Sequence, residues 1–403
     1  MLIDVAEAKA IIANQIIDFG IEEVPLDQSL GRVLREVIKT DRDLPPYDRV
    51  TMDGVAISYV SYDDGQTSFP IVGVAAAGDP KQKVKDPKTC IEIMTGAIMP
   101  DGVDTVIPYE RIDIFDGIAT LHGDEIRPRQ NVHFKGQDRL SGEVILEPGI
   151  TISAADVGVC ATVGKTRIKV SKMPRVLVVS SGDELVEVEH VPLPHQIRKS
   201  NIYRIKTVLS QYGIKVDTAH FNDNITEIIS HLTEDIKNYD VIILSGGVSK
   251  GKFDYLPEAL EKVGVKKLFH RIAQRPGKPF WFGRHPKGPI VFAFPGNPVS
   301  SFMCMQNYFK PWLLACIKSK VLPTPYAKLT EDVIFKPDLT YYLEVSIDFN
   351  EKGEILAQPN RGNGSGDLAN LVDSDAFIEL PRGKDLFKSG EVFPIIRYRE
   401  IFA

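Results

Sequence analysis

The 403-residue sequence predicts a multidomain protein of the α/β plus β class. Three observations carry that expectation. Between Pro174 and about residue 318, continuous apolar strands alternate with helical segments, the pattern of a parallel sheet covered on both faces. From about 50 to 141, and again from 319, short strand-like runs are separated by glycines and acids, which is β texture. The length also exceeds what one hydrophobic core serves, so about two to four domains are expected.

The opening MLIDVAEAKAIIANQI reads as a helix, with Asp4 and Glu7 at its start and Val5, Ala8, Ile12 and Ile16 forming an apolar stripe. VLREVIKT (33–40) is a half-buried strand candidate, which the prolines of DLPPYDRV interrupt. VAISYV, PIVGVAA, TCIEIMTG and DTVIPYE supply strands, and Ala154 to Cys160 a short helix. RVLVVSSG is a buried strand ending in Gly182. SNIYRIKTVLSQYG follows as a helix capped by Ser200 and ended by Gly213. IKVDTAHF, YDVIILSGG and GPIVFAFPG are further strands, with ITEIISHLTEDIKN and YLPEALEKV as helices between them. NPVSSFMCMQNYFKPWLLACI is a mostly buried helix. Past 319, YYLEVSIDF, GEILAQPN, AFIELP and EVFPIIRY predict a small β domain or barrel. Periodicity leaves two readings of the β-rich region before Pro174: a continuous domain, or an insertion dividing another.

Composition narrows the function classes. A net charge of -6 argues against nucleic-acid binding through an overall positive field. No run of 18 apolar residues suggests a membrane span, and the acids at 4 and 7 break any secretory signal. The four cysteines have no CxxC spacing, and Cys304 and Cys316 sit in apolar surroundings; buried thiols in a reducing, cytoplasmic compartment are expected.

Chemistry concentrates where strands end. In GGVSKGKFDY (246–255), Gly246 and Gly247 permit close approach of a ligand, Ser245 and Ser249 offer hydroxyls, and Lys250 and Lys252 add charge. Asp254 would meet an anion through a divalent cation. In PGNPVS (295–300), Asn297 caps a helix that begins at Pro298, with Pro295 before it, and Ser300 and Ser301 supplement its free N–H groups. In SSGDEL (180–185), Asp183 and Glu184 suit magnesium, a water or a hydroxyl. Asp223 ends the neighbouring strand. Lys278 and Arg275 of RPGKPFWFG neutralise an anion, Arg275 with two parallel bonds, whereas Phe280, Trp281 and Phe282 pack. Each junction alone also reads as an ordinary turn, a capped helix or solvated charge. There is no GxxxxGK[ST] and no intact GxGxxG, which disfavours a P-loop triphosphatase or a dinucleotide fold.

In order along the chain, PPYDRVTMDG, TGAIMPDGVDTVIPYE, FKGQDRLSGE, SGDEL, GGVSKGKFDY, RPGKP and PGNPVSSF resemble the molybdopterin molybdenumtransferase family over nearly the whole chain. The resemblance implies a three-layer α/β molybdopterin-binding domain (1–22 and 174–318), a linker domain (23–41 and 142–173), an inserted β-rich domain (42–141) and a C-terminal β-barrel-like domain (319–403). It implies homodimers whose cleft forms between subunits, and insertion of molybdate into adenylylated molybdopterin with release of AMP, assisted by magnesium. It also implies contacts with the enzyme that adenylylates molybdopterin and with molybdoenzymes. Glu184, Asp223 and Asp254 fall at acidic family positions for metal or pterin nucleotide, while Asp53, Thr95 and Asp138 are the remote contribution to the cleft. Ser249, Lys278, Ser300 and Arg361 are expected at phosphate or molybdate, joined by Ser365 of NRGNGSGDLANLVDSDAF. Departures from the family pattern stand at Arg49, Val50 and Thr51, at Lys250 and Lys252, and at Arg275, where a lysine is usual. Tungstate insertion, or a noncatalytic scaffold binding the pterin nucleotide, are the alternatives.

Overall fold

A computed structural model describes residues 2–123, 125–249 and 254–399; Lys250 and Lys252 lie outside them. Strand Val176–Ser181 is buried at every position. It pairs in parallel with Val216–Phe221 on one side and with Val241–Ser245 on the other. Val241–Ser245 in turn pairs in parallel with Ile290–Phe294. The absence of polar alternation in these strands follows from burial of both sheet faces. Val178, Ile243 and Phe292 face one core with Ile205 and Leu209 of helix Ser200–Ser210 and with Val5, Ala8 and Ile12 of helix Val5–Ala13. Val179, Leu244 and Ala293 face another, with Ile228 and Leu232 of helix Ile225–Asn238 and Leu256 and Leu260 of helix Leu256–Lys262. This is the expected three-layer unit.

The sheet does not stay parallel. Trp281–Arg284 pairs antiparallel with Ile290–Phe294, and Lys266–His270 antiparallel with Trp281–Arg284. The aromatic run that reads as packing is therefore itself a strand, with Phe280, Trp281 and Phe282 wholly buried.

Helix ends depart from the simplest capping rules. Asp4 occupies the cap of the first helix, yet its carboxylate accepts from Arg382 at 2.8 Å rather than from the helix. Lys199, not Ser200, takes the cap before Ser200–Ser210. Asn224 does cap Ile225–Asn238, accepting from the N–H groups of Thr226 and Glu227. The long buried helix divides into Pro298–Cys304, a π-helical turn Met305–Phe309, and Lys310–Cys316. Pro311 explains the wide turn: it has no N–H and its ring would crowd the Asn307 carbonyl in a regular α-helix.

In the first half, VLREVIKT is extended only as Ile38–Lys39, with Val33 and Leu34 making isolated bridges. Ile38–Lys39 pairs with Val144–Leu146, and Ile21–Pro25 with Arg167–Ser171. The β-rich stretch between these pairs is a mixed half-barrel of six strands, in the order 105–108, 54–57, 90–93, 68–75, 118–121, 112–115. At the C-terminus, Thr340–Phe349, Ile355–Pro359, Tyr326–Leu329, Val392–Arg397 and Ala376–Leu380 close into a barrel, because the last strand pairs back with the first. Gln274–Arg275 adds in parallel to Thr340–Tyr341, which ties the barrel to the α/β unit.

Phe292 sits at the centre of the main core, with ring centroids of Phe282, Phe309 and Trp312 at 4.9, 5.2 and 5.2 Å. Phe292→Ala should lower the free energy of unfolding by about 3–5 kcal/mol, measured as a shift of the urea midpoint with unchanged slope.

Candidate functional site

The parallel register places the carboxyl ends of three strands side by side: Ser180 is level with Ser245, and Ser245 with Phe294. The loops that follow pack almost without intervening side chains. Gly246 has φ +104, and a Cβ there would stand 2.7 Å from the Ser181 carbonyl. Gly296 closes the third side, 3.5 Å from the Gly246 Cα when measured from an added Cβ. Polar side chains lock the arrangement. Asn201, in the first turn of Ser200–Ser210, donates to Ser245 Oγ at 2.9 Å and to the Gly296 carbonyl at 2.7 Å. Arg204, one turn on, donates to Asn201 Oδ1 and to the Pro298 carbonyl.

The result is a cleft of about 440 Å³ at the expected sheet edge. Of the residues singled out from the sequence, Gly182, Glu184, Asp223, Gly246, Gly247, Ser249, Asp254, Pro295, Asn297 and Pro298 line it. Ser245, Ser180, Ser181, Lys199 and Asn201 line it too; Ser200 reads from sequence only as a helix cap, and Lys199 and Asn201 beside it carry no recognisable pattern. Asp223 receives little relief from its surroundings. Burial first, then the carboxylates of Asp183 and Glu184, raise its acid above the usual range. Burial, followed by Lys199, lowers His220, whose Nδ1 lies 2.9 Å from Ser180 Oγ. Asp217 stays apart from this edge and accepts from the Tyr239 hydroxyl.

A second cavity of about 240 Å³ adjoins the first, sharing Pro279, Pro295 and Asn297. Arg275, Lys278, Ser300 and Ser365 line it, together with Gln274. Its charged lining among the described residues is cationic. Asn297 Nδ2 donates to Ser365 Oγ at 2.7 Å, so this side chain joins the C-terminal segment to the cleft instead of capping its own helix. Gly277, with φ +86, leaves no room for a side chain: a Cβ would lie 2.7 Å from Cys304 Sγ.

Six expected residues line neither cavity: Arg361, Asp53, Thr95, Asp138, Asp183 and the wholly buried Ser301. Arg361 is turned outward to Glu331 and the Asp332 carbonyl. Asp53 accepts from both the N–H and the hydroxyl of Thr95, bonds that hold its acid below the usual range. Asp138 bonds His133, 2.9 Å away. Among the described residues, no group of three or more His, Cys, Asp or Glu is gathered closely enough to hold a metal by itself.

Fold and site together define a multidomain protein with a molybdopterin-binding type of α/β unit. Residues 177–315 match the family model described as "Probable molybdopterin binding domain". Residues 3–164 match the MoeA N-terminal region (domain I and II), and residues 326–398 the MoeA C-terminal region (domain IV). The chain is 41% identical to a Synechocystis molybdopterin molybdenumtransferase, over 98% of this chain and 99% of that one. It is 30% identical to a Staphylococcus epidermidis protein of the same name, over 98% and 95%. The solved structure of a molybdopterin biosynthesis MoeA protein from Pyrococcus horikoshii superposes with a TM-score of 0.83 at 25% identity, covering 100% of both chains. The chain belongs to the MoeA family of molybdopterin molybdenumtransferases.

The raised Asp223 acid has a consequence for stability. The unfolded chain ionises this carboxyl in the ordinary range, so the folded protein loses stability as pH rises through that range and past the raised value. In magnesium-free buffer, Asp223→Asn should melt at the same temperature as the parent near about pH 3 and higher by about 1–3 °C near about pH 7, read from thermal unfolding at both pH values.

Proposed function

We propose that the larger cleft holds the pterin nucleotide and the smaller cavity the oxyanion, in an enzyme that inserts molybdate into adenylylated molybdopterin and releases AMP. The confinement of the carboxylates to one of two adjoining cavities carries this reading. Glu184, Asp223 and Asp254 line only the larger cleft, whereas Arg275 and Lys278 line only the smaller cavity, and the two share one wall. A dianionic oxyanion is thus offered a site without facing carboxylates, next to the place where the dithiolene sulfurs would lie.

The acids of the cleft suit magnesium, which typically takes one or two carboxylates and completes its shell with water and substrate phosphates. Burial first, then the carboxylates of Asp183 and Glu184, raise Asp223, and the like charge among these acids favours a cation there. Magnesium supplies charge neutralisation and polarises the phosphoryl oxygen. The chain's own groups do the rest. The first turn of Ser200–Ser210 places N–H groups at the cleft for phosphate oxygens, beside Lys199, whose ammonium is paired with Glu187 at 2.5 Å. Ser300 accepts the Gly277 N–H at 3.2 Å, which leaves its own hydroxyl proton for the oxyanion. Lys278 is exposed at the end of a loop bounded by Pro276 and Pro279, so little ordering is lost on binding.

Asp53, Thr95 and Asp138 enter this reading through a second subunit of a homodimer, since in one chain they line neither cavity. Among the described residues no helix is long and apolar enough to cross a membrane. The four cysteines are free and buried, in keeping with a cytoplasmic setting. The division into four domains is supported by the apolar clusters of the barrel, the linker strands and the half-barrel, although the boundary at 22/23 falls inside strand Ile21–Pro25.

Supplied with adenylylated molybdopterin, magnesium and molybdate, the protein should release AMP and yield metal-loaded cofactor, with omission of either metal species lowering the rate. Binding of the nucleotide without AMP release would defeat the assignment, and competition with tungstate would fix the oxyanion preference. Lys278→Ala should raise KM for molybdate by about 10–100-fold, the range for loss of a bond to a charged group, and leave KM for the pterin nucleotide near the parent value. Steady-state kinetics with each substrate varied in turn separates the two.

A further inference from the structure

The floor of the smaller cavity is held by a buried polar chain that reaches into the C-terminal barrel. Gln274 is wholly buried, and its side chain serves the fold at both ends. Its Nε2 donates to the Gly277 carbonyl at 3.1 Å, and its Oε1 accepts from the Tyr308 hydroxyl. Asn307, next to Tyr308, donates through Nδ2 to the Tyr342 hydroxyl at 2.8 Å. Asn307 and Tyr308 are consecutive, and both are buried in the π-helical turn. Tyr342 belongs to barrel strand Thr340–Phe349, the strand that also pairs with Gln274–Arg275. Burial pushes both phenols far above the usual range, so each remains a hydroxyl able to donate.

This chain ends on the peptide before Lys278. Gly277 uses its carbonyl for Gln274 and its N–H for Ser300, so both cavity donors, Lys278 and Ser300, are placed relative to one glycine. Fully satisfied buried networks of this kind hold one geometry, because any displacement leaves a polar atom without a partner.

We propose that Gln274 and Tyr308 are positioning residues for the oxyanion cavity, setting its affinity for a tetrahedral dianion by fixing the Gly277–Lys278 peptide against the C-terminal barrel. The proposal rests on the assignment of the smaller cavity to the oxyanion. Neither residue is required to touch the ion.

The test is Tyr308→Phe, which keeps the ring and removes the hydroxyl that Gln274 accepts. KM for molybdate should rise on the order of tenfold, and equilibrium dialysis of molybdate against the pterin-free protein should show the same loss. KM for adenylylated molybdopterin should stay within about twofold of the parent. Gln274→Met, which fills the volume but loses the Gly277 bond, should weaken molybdate at least as much. Ile12→Val, buried in the same apolar core, is the control for a loss of stability alone. The control should leave both KM values at the parent level, and the proposal is overturned if Tyr308→Phe binds molybdate as the parent does or raises both KM values together. A parent protein that turns over without any response to molybdate would refute the cavity assignment itself, and this inference with it.

Discussion

The approach of Gly246 to the Ser181 carbonyl is the constraint on which the site depends. Level strand ends make three loops converge, but only a backbone without a Cβ lets them touch. Once they touch, peptide groups rather than long side chains define the cleft wall. Donors of that kind need no reorganisation when an anion arrives. Asn201 and Arg204 then fasten helix Ser200–Ser210, which follows strand Val176–Ser181, to the same loops. Arg204 makes no salt bridge among the described residues, and burial lowers it to about 10. Such a cation is costly to bury, and its value lies in the bonds it makes to two chain segments almost a hundred residues apart.

The same site carries charge that the free fold does not balance. Asp223 lies under the influence of Asp183 and Glu184, while the Asp223 N–H donates to Asp183 Oδ1 at 2.9 Å and holds that neighbour in place. A structure selected for stability alone would separate these acids. Perturbation by burial and like charge is instead the mark of a place prepared for a ligand, and the cationic cavity beside it is its counterpart. Pro279, Pro295 and Asn297 form the wall between this cleft, where Arg198 and Lys199 stand with the acids, and the cavity of Arg275 and Lys278.

Much of this was legible in the residues. Continuous apolar strands, the helix capped at Asn224, and the glycine-bearing junctions all have local causes. Gly182, Gly246 and Asn297 could be placed at one sheet edge by topology alone. What escaped has causes that are long-range. Lys199 and Asn201 are ordinary polar residues at a helix start, and their place in the cleft depends on partners at 245 and 296. Gln274 stands between apolar neighbours, and only its partner Tyr308, 34 residues on, gives it meaning. The cap expected of Asn297 was diverted to Ser365, 68 residues distant. Arg361 is near Ser365 in sequence, yet Glu331 draws it outward. The antiparallel edge strands were hidden because an aromatic run buried on both faces looks alike in either direction.

The joint between barrel and α/β unit bears on how the site can adjust. Tyr342, Phe377 and Leu371 from the C-terminal segment share the main core with Phe292 and Trp312, and Gln274–Arg275 is hydrogen-bonded into the barrel. Turning the barrel away would break a sheet pairing, an apolar core and the buried polar chain together, so the side of the smaller cavity is the fixed half of the site. The opposite rim is built differently. Leu185–Val186 and Ile197–Arg198 form only a two-residue parallel pair, and the segment between them exposes Val188, Val191 and Leu193. With few bonds and little burial to lose, this rim is where local opening costs least. On the proposed assignment, adjustment to the large pterin nucleotide therefore falls to the 185–198 side, while the small anion meets a cavity that is already set.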